Sequence, residues 1–465
     1  MSESAAHTYG KPPHPFLYFV LFLPFGATSG FISVTLGALA KKHGMSDEVI
    51  TAIIAWNTIP NTPKFLWAPL VDTVWTGKGW YVTMNLVSSL AIITLGFIPI
   101  MESNTTLISA VVLVNGAAVS FVAMCTEALM AKLTPPEQRG AAGGWSQAGN
   151  VGGAFIGGLG LMIANNTSVD WLPFVIVGAL LMSCSFIALN VKEPQRSTTS
   201  SLGHNVKTLG RDIWTLLTEP KRTAKVRRWP LFFFPPVFLY ALSGAGILAL
   251  FLSLMPIGSG GAQNVFPLMG AEWHTSDNLV AFSNGLVTGG AAIVGSLLGG
   301  FLSSKIDKRW AYALSGLIIA SFAFLMAILP KTAPFYVACC ILYSIGLGMC
   351  YATFTAFVLD IIGHTGGATK YNVFAALSNI PIVLMTRIDG WAATHWGRED
   401  MLWVDGLAGV GGAVCLMLLV FLLRWLKVPT RPPIADIPLH EAEKVLEAPI
   451  AAPVELPEAR VVSKD

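Results

Sequence analysis

Apolar runs of membrane-spanning length recur twelve times along this chain, near 16 to 40, 48 to 71, 80 to 101, 106 to 131, 141 to 164, 171 to 190, 231 to 256, 279 to 303, 310 to 330, 333 to 361, 369 to 390 and 400 to 426. Each is long enough to cross an apolar layer of about 30 Å as a helix of roughly 20 residues. No water in such a layer can take up N–H and C=O groups, so the backbone of every run must satisfy itself internally, as a helix. Charged residues make up only 12% of the chain, against roughly 25% in soluble domains. The predicted fold class is an all-α polytopic membrane protein with twelve transmembrane helices.

Interruptions of the apolar pattern divide the chain. A polar, proline-containing leader covers residues 1–15, and the run that follows it is too long for a signal peptide and reads as a retained helix. A first six-helix bundle is expected over 16–190, a basic loop over 191–229 and a second six-helix bundle over 230–427. Residues 428–465, rich in Pro, Ala and Glu, lack the periodic apolar residues of a core and are expected to be a disordered tail. Lys and Arg collect in the loops that follow the even-numbered helices and at both chain ends; outside the spans, the opposite side carries only Lys41, Lys42, Lys331 and Arg398. By the positive-inside rule both termini are cytoplasmic, and the expected location is the inner (plasma) membrane.

Most of the chemistry is concentrated in the stretch Ile59-Pro60-Asn61-Thr62-Pro63-Lys64-Phe65-Leu66-Trp67-Ala68-Pro69-Leu70-Val71-Asp72 at the end of the second run. At about 100° per residue, a continuous helix puts Asn57, Asn61, Lys64, Ala68 and Asp72 within an arc of roughly 80°. An ionisable residue deep in a membrane costs about 2.5 to 3.5 kcal/mol on insertion scales, so Lys64 is expected to face the bundle interior or a wet cavity. Glu127, about one turn from the cytoplasmic end of the fourth run, has two roles open to it: a proton carrier, or a structural ion-pair partner of Lys64 or Lys132. Tyr240 of the seventh helix, Tyr351 of the tenth and Asn372 and Asn379 of the eleventh form uncharged hydrogen-bonding stripes. These would line a solute path with Asn57 and Asn61, or serve as interhelical bonds.

Other features read as structural. The glycines of the fifth run, from Gly140 to Gly160, suit close helix crossing; a dinucleotide loop would need a preceding strand. Arg387 is expected to pair with Asp405, and the six cysteines fall inside spans with no metal-site spacing. No cofactor, metal or nucleic-acid partner is expected. The partners implied are a small-molecule substrate, a proton and the lipid bilayer, with the chain acting as a monomer.

Two groups of six helices joined by a basic loop resemble the major facilitator superfamily, which carries a Gly-x-Leu-x-Asp-Arg-x-Gly-Arg-Arg motif after its second and eighth helices. Ala68-Pro69-Leu70-Val71-Asp72 is similar to the first copy. Gly300-Phe301-Leu302-Ser303-Ser304, followed by Lys305, Lys308 and Arg309, is similar to the second, with serine in the aspartate's place. The resemblance implies two pseudo-symmetric bundles that rock about a central site, with Asp72, Lys308 and Arg309 gating the cytoplasmic face. Pro60, Thr62, Lys64 to Leu70 and Asp72, together with Leu133 to Gly140, resemble motifs of the AmpG-type muropeptide permeases and their acetyl-CoA transporter relatives. Within that branch Glu127 takes the place of a fourth-helix acid, while Ala123, Met130 and Lys132 replace another aspartate, an arginine and a later acid; some relatives import iron-siderophore complexes.

The expected function is therefore secondary active transport, a proton-coupled uptake of a polar or amphipathic small molecule by alternating access. Glu127 and Lys64 would carry the coupling. The alternatives are an exporter of small amphipathic compounds or a membrane-embedded transferase. The second would need convergent His, Asp or Glu near one membrane face, and the eight histidines lie mostly in the leader and the loops. A passive channel would need a repeated charged or carbonyl filter, and the sequence holds none.

Overall fold

The computed structural model describes residues 12–61, 63–193, 207, 244–362 and 367–425. In the first half, α1 spans Phe16–Lys42 with a π-helical turn at Phe31–Leu36, followed by α2 (Asp47–Thr58), α3 (Lys64–Thr73), α4 (Gly77–Leu95), α5 (Thr105–Leu133), α6 (Arg139–Asn165) and α7 (Leu172–Leu189). In the second half come α8 (Gly244–Leu254), α9 (Asn278–Lys305, with a π-helical turn at Ser283–Val287), α10 (Lys308–Ile328), α11 (Ala333–Ile362), α12 (Gly367–His395) and α13 (Arg398–Trp425). Among the described residues, eight helices are long and apolar enough to cross a membrane. The leader up to residue 11, Thr62, most of the 191–229 loop, the start of the expected seventh span with Tyr240, and the 428–465 tail lie outside the described residues.

One expected helix is broken. Instead of running unbroken from 48 to 71, the second span stops at Thr58, passes through a 3-10 turn at Ile59–Asn61 and restarts at Lys64. Pro60 and Pro63 explain the break, because a proline ring has no N–H to give and collides with the carbonyl one turn back. The single polar arc expected from Asn57 to Asp72 is therefore lost, and these residues reach different partners.

Helix α6 lies between the halves, and its glycines divide over two faces. A Cβ at Gly153 would stand 2.5 Å from the backbone of Ala27 on α1, and one at Gly149 would strike the backbone of Phe19. On the other face, a Cβ at Gly144 would come within 2.8 Å of Gly300 on α9, and one at Gly143 within 2.6 Å of the Ala352 carbonyl on α11. The expected close crossing thus occurs twice on one helix, once within its own half and once across the two.

At the end of the molecule where α3 and α5 finish, Glu193 ties helices together. Its carboxylate accepts from the amides of Gly77 (3.1 Å) and Lys78 (2.9 Å) at the start of α4 and pairs with Lys132 of α5 at 2.9 Å. An anion at a helix N-terminus meets both unsatisfied N–H groups and the positive end of the helix dipole. Burial alone would push this carboxyl up; the Lys132 ammonium and the two amides outweigh it and hold it below the usual carboxylate range.

Gly153→Val should destabilise the protein by about 1 to 3 kcal/mol through overpacking. Gly411→Ala, on α13 with nothing within 4 Å of its Cβ position, should leave the melting temperature unchanged or raised. Glu193→Gln should lower stability at neutral pH by about 1 to 3 kcal/mol. Because the folded-state carboxyl is depressed, its contribution is present above the unfolded-state value and lost as pH falls through the folded one. Thermal unfolding curves of wild type and the Glu193 variant should converge on acidification.

Candidate functional site

The polar centre is built where α3 and α5 of the first half meet α12 of the second. Past the break at Pro63, Lys64 opens α3 and its Nζ lies 3.4 Å from Glu127 Oε1 on α5. The other oxygen of Glu127 accepts from Asn372 Nδ2 of α12 at 2.6 Å. Glu127 is only 3% exposed and Lys64 13%, so this ion pair is largely out of water, where losing either partner is costly. The Lys64 ammonium also lies 5.9 Å from the Phe25 ring centre on α1. Of the partners open to Glu127 in the sequence, Lys64 is the one it contacts; Lys132 is taken by Glu193.

The polar contacts continue through the second half. Tyr371, next to Asn372, shares a 2.9 Å hydroxyl contact with Thr355 of α11, which accepts from Gln147 of α6 at 3.0 Å. Asn150 donates in turn to Gln147. Side chains from α3, α5 and α6 thus meet side chains from α11 and α12 in one buried layer. Sequence reasoning did not single out Tyr371, because a tyrosine beside an asparagine has no distinctive spacing.

Beside this layer the two halves are clasped. Asp72, at the end of α3, accepts from the amides of Ala368 (3.2 Å) and Thr369 (2.7 Å) and from the Thr369 hydroxyl (2.8 Å), at the start of α12. The second copy of the motif also meets the opposite half: Ser304, in the aspartate's place, lies at the start of α6, where a Cβ on Gly140 would stand 2.6 Å from its Oγ. Arg139, the buried first residue of α6, reaches Asp360 of α11 at 3.3 Å, and Lys308 reaches the same carboxylate at 3.4 Å. Arg309 pairs with Asp307 at 2.6 Å, within its own half. Sequence reasoning also passed over Asp360, although an acid near the end of a 30-residue apolar helix is a legible signal.

The remaining lining candidates lie in different surroundings. Asn57 is buried inside the first half, where its side-chain oxygen accepts from Asn115, whose own oxygen accepts from Ser88. Asn61 donates to the Asn57 carbonyl at 3.4 Å. Tyr351 lines a small cleft in the second half with Ser253, Tyr312 and Ser378. Asn379 is exposed on α12. The expected Arg387–Asp405 pair is not formed: Arg387 is exposed, and Asp405 accepts from the Tyr343 hydroxyl at 2.7 Å. Two residues apart on a helix point in different directions, and it is Asp389, not Arg387, that turns toward α13.

Known proteins give the context for this arrangement. Over 384 residues the chain is 24% identical to the anhydromuropeptide permease of Escherichia coli strain K12, an alignment covering 78% of this chain and 71% of that one. In fold it is similar to FucP, the E. coli fucose:proton symporter (TM-score 0.63, 14% identity, 87% of this chain and 98% of that one), also solved in an outward conformation. It is likewise similar to the proton:xylose symporter XylE bound to 6-bromo-6-deoxy-D-glucose (TM-score 0.62, 13% identity, 93% of this chain and 99% of that one). Residues 16–384 match the family model of the Major Facilitator Superfamily. With that match and a buried polar layer between two helical halves, the chain is a multi-pass secondary active transporter rather than an enzyme, and it belongs to the major facilitator superfamily.

Proposed function

We propose that this transporter couples a proton to the uptake of an anionic, amphipathic small molecule of the muropeptide-conjugate or siderophore class across the inner membrane. The observation that carries the reading is the double tether on Glu127, to Lys64 in its own half and to Asn372 in the other. A proton on Glu127 removes its charge, weakens the charge-assisted bond from Asn372 and leaves the Lys64 ammonium without its counter-ion. Lys64 is then available to the substrate's anion. Proton and substrate favour each other's binding, as symport requires, because both act on the same ion pair.

The lysine and arginine bias supports cytoplasmic termini. On that topology the Asp72 clasp and the Arg139–Asp360–Lys308 cluster close the cytoplasmic side, and the conformer faces outward. Protonation of Glu127 loosens the tether next to that clasp, and the halves rock to open it inward. The name of the relative supports muropeptide-like cargo. Ala123, Met130 and Lys132, which stand where that branch carries an acid, an arginine and another acid, support a cargo of different charge.

In proteoliposomes with an imposed pH gradient, Glu127→Gln should abolish accumulation of anhydromuropeptide or ferric siderophore while sparing counterflow exchange. Accumulation at the wild-type level would remove Glu127 from the coupling. Lys64→Ala should raise the apparent KM about tenfold or more, the equivalent of roughly 1.4 kcal/mol of lost binding. Monodispersity and melting temperature of the variant distinguish that outcome from misfolding.

A further inference from the structure

A pair of buried acids lies far from Glu127, toward the other end of the second half. Asp389 sits near the end of α12, about 30 Å along the helix axis from the residues that hold Asp72. It is 0% exposed, and as a carboxylate neither of its oxygens has a hydrogen-bond donor. Asp405 of α13, also buried, is within hydrogen-bonding reach of it. Asp405 does have a donor, accepting from the Tyr343 hydroxyl at 2.7 Å. The contrast with Glu127 is sharp, since both oxygens of Glu127 receive donors and one of them an ammonium.

Two ionised carboxylates at hydrogen-bonding distance, out of water and without a cation, repel each other strongly, while one proton between them converts the repulsion into an O–H···O⁻ bond. That proton also resolves the orphaned acceptors of Asp389, because the acid becomes the donor to Asp405. The other titratable groups beside the pair are Tyr343 and Cys350 of α11; among the described residues no Lys, Arg or His forms an ion pair with either carboxyl. We infer that Asp389 and Asp405 form a second proton-binding site, which holds one shared proton in this conformer while Glu127 holds none.

The site lies under the segment that follows α8. A Cβ on Gly261 would strike the Asp389 carboxylate, Gln263 donates to Ser344 at 3.1 Å, and Asn264 donates to Thr386 at 3.2 Å. A small cleft at Asp405 shares Gly258 and Ser259 with the one lined by Tyr351. The shared proton therefore keeps the 256–264 segment seated over the acid pair and the clefts beside it. Loss of that proton sets two like charges beneath the segment and unseats it.

Infrared spectroscopy of the full chain in lipid nanodiscs at neutral pH tests for the shared proton, independently of substrate and of any coupling role of Glu127. The wild type should show the carbonyl stretch of a protonated carboxylic acid, shifted by deuteration and shifted again when aspartate is isotope-labelled at its carboxyl carbon. Asp389→Asn, whose amide can still donate to Asp405, should lose the band, and Glu127→Gln should keep it. A band that ignores the aspartate label, or no band at all, overturns the inference, and the label needs no variant to fold. Thermal stabilisation of the wild type by sodium over choline, lost in Asp389→Asn, would make this a metal-cation site and overturn it equally.

Discussion

Burying Glu127 in an apolar protein interior carries a desolvation penalty of several kcal/mol, and the fold meets it with donors from both halves of the chain. Lys64 is available because Pro60 and Pro63 break the second span and restart it with that residue in the first turn of α3. Asn372 is available because α12 is docked on α3 through Asp72. The charge on one side chain and the relative position of the two halves are thus linked. A change in the first alters the free energy of the second, which is the physical requirement for coupling an ion to a conformational change.

A different device, an acid set against backbone amides, recurs at several helix starts. Glu193 sits at the N-terminus of α4, Asp72 at that of α12, and Asp307 caps α10 while pairing with Arg309. Each places an acceptor against unsatisfied amides and the positive end of a helix dipole. The two motif copies use it unequally. Asp72 makes three bonds across the halves; Ser304, in the corresponding place, is uncharged, and Arg139 with Asp360 supplies the charged contact there. The pseudo-symmetry of the chain is therefore one of position, with different chemistry at the two equivalent places.

The helices were legible in the sequence because an apolar run of about 20 residues has few alternatives. The Lys64–Glu127 pair was legible as one of two options, because two opposite charges inside apolar runs must each find a partner. The second span was misleading: period counting assumed a straight helix through Pro60 and Pro63, and Asn57 ended in a chain with Asn115 and Ser88 instead of beside Lys64. Arg387 misled as well. Opposite charges at similar depth suggested an ion pair, but the buried partner of Asp405 is a second acid, and nothing in spacing alone distinguishes a pair of acids from two separate ones. Contacts between distant parts of the chain, such as Arg139 with Asp360, depend on how helices are arranged, which hydropathy does not encode.

The seam between α6 and α9 is nearly free of side chains where Gly144 meets Gly300. Surfaces joined by interdigitated leucines must unlock rotamer by rotamer before they can slide, and each step adds to the activation barrier. Two smooth backbones have no teeth to disengage. Where Gly144 meets Gly300 the seam resembles a journal bearing: it keeps the two axes close with little side-chain interlock to resist rotation.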